Sequence, residues 1–150
     1  MNNIFRELQR TLEPLDDLNL GCEGTSWLIS SLLQRKSVEH MLMNGSISHT
    51  SGRVVVPHVW IAMGQWIIDF RVRMWFGRHN TNIPHGCFMS NQANKKGFTY
   101  NGMRVNDHLI TWRDALVISD SVVYDIDRSR LFEQVVDEFG SHENQQGALW

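Results

Sequence analysis

The sequence predicts an α+β domain in which helices come first, an antiparallel sheet fills the middle of the chain and another helix follows. Apolar residues recur at helical spacing near the start and again late in the chain. Residues 54–75, by contrast, are dense in β-branched and aromatic side chains around a two-residue glycine turn. Elements in this order suit an antiparallel sheet with its helices to one side. The 150 residues are 42% hydrophobic and include six tryptophans, enough to build one substantial core. No repeat, low-complexity tract or linker divides them, so a single domain over residues 1–150 is expected.

The elements follow in order. Ile4, Phe5, Leu8 and Leu12 lie on one helical stripe that ends near Pro14. A second helix opens at Cys22 and continues through Trp27-Leu28-Ile29-Ser30-Ser31-Leu32-Leu33. Gly21 permits the sharp entry, and Asn19 or Gly21 stands near the N-cap. Ser37 to Met43 reads as a short third helix, and Gly45 and Gly52 bracket a turn-rich stretch. Val54–Met63 and Trp66–Trp75 read as the strands of a hairpin, because Gly64-Gln65 has glycine first, as a type II′ turn prefers. Phe98 to Val105 reads as a second hairpin around Asn101-Gly102. Ala115–Ser119 is a strand or a short buried helix end. Asp127 caps a last helix with Leu131, Phe132, Val135, Val136 and Phe139 on one side and Gly140 as its stop, and a polar tail runs from Ser141 to Trp150.

Three residues carry a possible chemistry. A sulfur in the first turn of a helix sits at the positive end of the helix dipole, among N–H groups that have no partner within the helix. That setting stabilises a thiolate and can donate to an oxyanion, and Cys22 has it; the alternative is a small buried apolar residue. In the hairpin, a two-residue loop places Met63 opposite Trp66, Trp60 opposite Asp69 and His58 opposite Arg71. His58, Trp60 and Asp69 then project from one face, with His58 and Asp69 as diagonal neighbours about 7–8 Å apart at Cβ. A histidine held by a carboxylate can take a proton from a thiol. The pair could equally be a structural hydrogen bond, and Arg71 could claim Asp69 and leave His58 idle.

The order Gly21-Cys22, His58-Val59-Trp60-Ile61 and Trp66-Ile67-Ile68-Asp69 resembles the transglutaminase-like branch of the papain-fold cysteine enzymes, over roughly residues 19–75. The resemblance implies an antiparallel sheet packed against an N-terminal helix that bears the nucleophile. It implies Cys22 as nucleophile, His58 as general base and acid, and Asp69 as the residue that orients His58. The expected activity is that of a cysteine-dependent hydrolase or acyltransferase. Such an enzyme cleaves or exchanges an amide or thioester bond through a thioester intermediate, on a peptide, protein or small-molecule substrate. Asn19 is a weak candidate for an oxyanion donor, and Trp60 for a cover over the His–Asp contact. This sequence departs from the pattern in its short His–Asp separation and in Val59, where an alanine-like residue is usual. A non-catalytic binding or interaction module on the same fold is the alternative.

Composition narrows the field. A formal charge of −2 and pI near 6.4 argue against a generic nucleic-acid binder, and Arg71-Val72-Arg73 and Asn94-Lys95-Lys96 read as short solvated stretches. His79, His85 and Cys87 match no strong zinc spacing, so neither a metal nor a cofactor is expected. Their loop reads as substrate-facing, since it follows the strand of Asp69. Cys87 is a rival thiol without a supporting pair, because Asp107 and His108 are adjacent and would face apart on a strand. No signal-peptide pattern or spanning run is visible, which makes a reduced, cytoplasmic protein the expectation.

Overall fold

The computed structural model describes residues 3–17 and 22–105, without the side chains of residues 3, 17, 22 and 23. The expected strand or helix end at Ala115–Ser119, the helix after Asp127, the tail from Ser141, and Asn19, Gly21, Asp107 and His108 lie outside the described residues.

Helix α1 (Asn3–Leu12) runs into a 3-10 turn, Glu13–Asp17, which contains the expected stop at Pro14. Helix α2 (Cys22–Arg35) follows, then strands β1 (Met41–His49), β2 (Val54–Met63) and β3 (Trp66–Asp69). After these come α3 (Val72–Phe76), β4 (Gly86–Met89), α4 (Ser90–Lys95) and β5 (Phe98–Arg104). The strands form one antiparallel sheet in the order β4-β3-β2-β1-β5. The α+β class is therefore observed, with a five-stranded antiparallel sheet and α2 packed on β2.

Alternation along β2 divides the interior into two layers. Val59, Ile61 and Met63 join Phe5, Leu8, Leu12, Leu28, Ile29 and Leu32 on the face covered by α1 and α2. Trp60 turns to the other face, among Ile67, Phe88 and Phe98, with Val72 of α3 and Ala93 of α4 packed over them. The expectation that helices lie to one side is thus corrected: the two long helices cover one face and the two short ones contribute to the other. Ring stacking of Phe5 on Trp66, with centroids 3.8 Å apart, holds α1 against β3.

Three other local expectations are overturned. Met41–Met43, read as part of a helix, begins β1, because these residues pair with Trp60–Ala62 of β2. The stretch between Gly45 and Gly52 is mostly strand, broken by a bulge between Gly45 and Ile47, with the turn confined to residues 50–52. Asn101-Gly102 is no turn at all. Strand β5 runs straight through it, with Gly102 paired to Gly45 of β1. Glycine is needed there for close approach: a Cβ at Gly102 would stand 2.7 Å from both the Asn44 carbonyl oxygen and Trp60 Cη2. Among the described residues, no helix is long and apolar enough to cross a membrane.

Candidate active site

The β2–β3 hairpin forms in the expected register, with Met63 opposite Trp66 and Ile61 opposite Ile68. Gly64, at φ +59°, supplies the left-handed conformation that a primed turn requires. This register brings His58 and Asp69 together. His58 Nε2 donates to Asp69 Oδ2 at 2.7 Å, and both side chains are wholly buried. Past Asp69 the hairpin departs from expectation. Asp69 Oδ1 accepts the Arg71 N–H at 2.9 Å, an Asx-type turn that ends β3 and feeds α3. The cross-strand pair of His58 with Arg71 is therefore absent from the β2–β3 ladder. Arg71 does not claim Asp69 with its guanidinium either. Nη1 donates to Asp16 Oδ1 at 2.6 Å and to the Asp16 carbonyl at 3.1 Å, while Nε donates to Thr25 Oγ1 at 3.2 Å.

Sequence reasoning missed one member of this network. Tyr100 of β5 donates its hydroxyl to Asp69 Oδ2 at 2.8 Å, so three donors converge on one buried carboxylate. That arrangement compensates the cost of burying the charge. Burial first, and the Asp69 charge second, hold the Tyr100 hydroxyl well above its ordinary 10.0, so it stays a donor. Tyr100 was hidden because Phe98–Val105 reads as a hairpin of its own, whereas β5 in fact flanks β1 on the same face as His58. Trp60 stacks on the His58 ring at 6.1 Å and meets Tyr100 edge-on at 5.0 Å, as a cover over the pair would.

Cys22 opens α2, as the sequence predicts. The N-terminal part of that helix is tied to the pair's end of the sheet at two points. Ser26 Oγ donates to the Val59 carbonyl at 3.0 Å, next to His58, and Thr25 accepts from Arg71, two residues beyond Asp69. The core side chains of α2 meet the Val59–Ile61 face of β2, while His58 and Asp69 lie on the opposite face. Helix and pair are therefore linked around the strand ends, through Arg71.

The other thiol has no such setting. Cys87 is buried on β4 opposite Ile68, and its backbone N–H donates to Gln9 Oε1 at 3.2 Å. Burial first, and the Glu13 carboxylate second, push its thiol far above the ordinary 9.0. Above that value the unfolded chain loses a proton that the folded chain keeps, so stability falls as pH rises, by at most about 1.4 kcal/mol per pH unit. Cys87→Ala should flatten this decline between pH 9 and 10, measured as urea midpoints under reducing conditions. Parallel declines in the two proteins would mean that water reaches the thiol.

His85 sits beside a different set from the one the sequence offered. Its Nε2 lies 3.1 Å from Glu13 Oε1 and 3.8 Å from Asp16 Oδ2, and one donor atom from each residue falls within 4.8 Å of the others. Two carboxylates and an imidazole could ligate a cation. However, the Arg71 guanidinium already occupies Asp16 Oδ1 and would repel a dication. His79 is exposed and is not part of this group.

Comparison with family models, with curated proteins and with solved structures gives no match for this chain.

Proposed function

We propose that the chain is a cysteine-dependent acyl-transfer enzyme of transglutaminase-like type, with Cys22 as nucleophile, His58 as base and acid, and Asp69 as the residue that orients His58. The observation that carries this reading is the buried hydrogen bond of 2.7 Å from His58 to Asp69, on neighbouring strands joined at their ends, through Arg71 and Thr25, to the helix that Cys22 opens. Asp69 binds Nε2 and thereby fixes the tautomer, so His58 exchanges protons through Nδ1. His58 takes the thiol proton, and the thiolate attacks an amide or thioester carbonyl. Backbone N–H groups in the first turn of α2 receive the charge that develops on the carbonyl oxygen, each worth about 3 kcal/mol of barrier. His58 returns the proton to the leaving group. Water or an amine then releases the acyl group, which separates hydrolase from transferase.

A second reading, a non-catalytic module on the same fold, is favoured by one specific observation. The pair is fully buried, and Tyr100 and Arg71 complete the hydrogen bonding of Asp69 as a structural network would.

The two readings differ in thiol reactivity. On the enzymatic reading, iodoacetamide labels Cys22 rapidly below about pH 7, and His58→Ala removes that acid limb. Mass spectrometry assigns the label to Cys22 or Cys87. A Cys22 that reacts only as an ordinary thiol, identically in both proteins, would discard the enzymatic reading in favour of the binding one.

A further inference from the structure

Arg71-Val72-Arg73, read from sequence as a solvated stretch, is not one. Arg71 is buried, and Arg71, Arg73 and Arg78 line a pocket of about 130 Å³ together with Asp16, His85 and Phe70. Three arginines therefore line the pocket beside one carboxylate, Asp16, which is already bound to Arg71, and Glu13 stands at its edge against His85. Arg73 is anchored through Nε, which donates to the Ile83 carbonyl at 2.9 Å, and this leaves its two Nη groups without a protein acceptor among the described residues. Arg78 makes no hydrogen bond or ion pair among the described residues. Arg73 and Arg78 thus bring to the pocket two guanidinium groups that pair with no carboxylate among the described residues, with a fork geometry suited to carboxylate or phosphate. Its volume takes several waters, and hence one small oxyanion group.

The pocket's position gives it a use. Arg71 donates to Thr25, one helical turn beyond Cys22, and its backbone N–H donates to Asp69. One residue thus joins the pocket to both halves of the candidate site. We infer that this pocket binds the oxyanion group, carboxylate or phosphate, of the molecule on which the site acts, an inference that rests on the thiol-enzyme reading for its link to Cys22. The neighbouring Glu13–Asp16–His85 group does not compete as a cation site, since Arg71 holds Asp16 and the pocket as a whole is positive.

Two measurements on the full chain test this. The first follows arginine side-chain NMR signals while sodium acetate, and separately sodium phosphate, is added at constant ionic strength. The expected result is a saturable shift in the wild type that weakens about tenfold in Arg78→Ala, as loss of one charge-assisted partner implies. Arg78 is exposed and makes none of the described contacts, so this variant should keep the fold. The tighter of the two anions identifies the source of the oxyanion. A shift that never saturates, or identical titrations in the two proteins, overturns the pocket. The second compares alkylation of Cys22 by iodoacetate, which carries a carboxylate, with alkylation by neutral iodoacetamide. A rate ratio several-fold higher in the wild type than in Arg78→Ala supports the link. An unchanged ratio despite saturable binding overturns it. Slow reaction with both reagents, beside intact anion binding, removes the thiol reading and leaves the pocket standing.

Discussion

On the proposed thiol-enzyme reading, replacing Asp69 with asparagine is expected to slow turnover about 10⁴-fold, the scale seen when a triad histidine is held in the wrong tautomer. The geometry explains why an amide cannot stand in for the acid. Asp69 receives only donors: the Arg71 N–H at Oδ1, and His58 Nε2 and the Tyr100 hydroxyl at Oδ2. Asparagine offers one oxygen and one NH₂ group. With NH₂ at the Oδ2 position, His58 must accept at Nε2, which moves its proton to Nδ1 and blocks the base. With NH₂ at the Oδ1 position, two donors face each other at the Arg71 backbone, and the turn that ends β3 is lost. Either orientation leaves a buried donor unmet, at a cost of about 1–3 kcal/mol. The check is kcat on any amide or thioester that the wild type accepts, read beside the urea midpoint. A fall in stability with Cys22 reactivity unchanged would assign the network to structure alone. Tyr100→Phe separates the two further, since it removes one donor without touching the tautomer and should cost far less activity.

How legible this arrangement was in the sequence depended on how local each signal is. The β2–β3 register follows from a two-residue glycine turn and period-two alternation, both contained within a dozen residues, and it placed His58 against Asp69. The helices α1 and α2 carry their own apolar stripes and stop signals. Where the deciding contact is distant, sequence reading failed. Strand β1 is an interior strand of the sheet, paired on both sides, yet Asn44, Gly45 and Ser46 and a bulge erase its alternation, and leucine and methionine before them favour a helix locally. Asn101-Gly102 has the composition of a turn, but its glycine serves an indole ring from another strand. Arg71 looked like a surface cation because its partners, Asp16 and Thr25, lie 55 and 46 residues away in the chain. The α+β class and the His58–Asp69 contact were thus readable from local pattern. The third hydrogen bond to Asp69 and the basic pocket were not.

Gly102→Ala should be among the most destabilising single-methyl changes in the sheet, at about 1–3 kcal/mol as typical overpacking costs. The new Cβ would meet Asn44 O and Trp60 Cη2 at 2.7 Å, so either the β1–β5 ladder opens or the indole leaves its place. Backbone at Asn44 is fixed by strands on both sides, which makes Trp60 the part that yields. Trp60 stacks on His58, and its displacement would uncover the His58–Asp69 contact. The substitution therefore reaches the candidate site from two strands away. Chemical denaturation of Gly102→Ala, Trp60→Phe and the double variant would test the route. The clash is with the indole, so the smaller ring should relieve it, and the double variant should be more stable than the sum of the single losses predicts. Strictly additive losses would place the strain in the β1–β5 backbone instead. Met103→Ala is the control: its side chain is 79% exposed, and its removal should change stability by no more than about 0.5 kcal/mol.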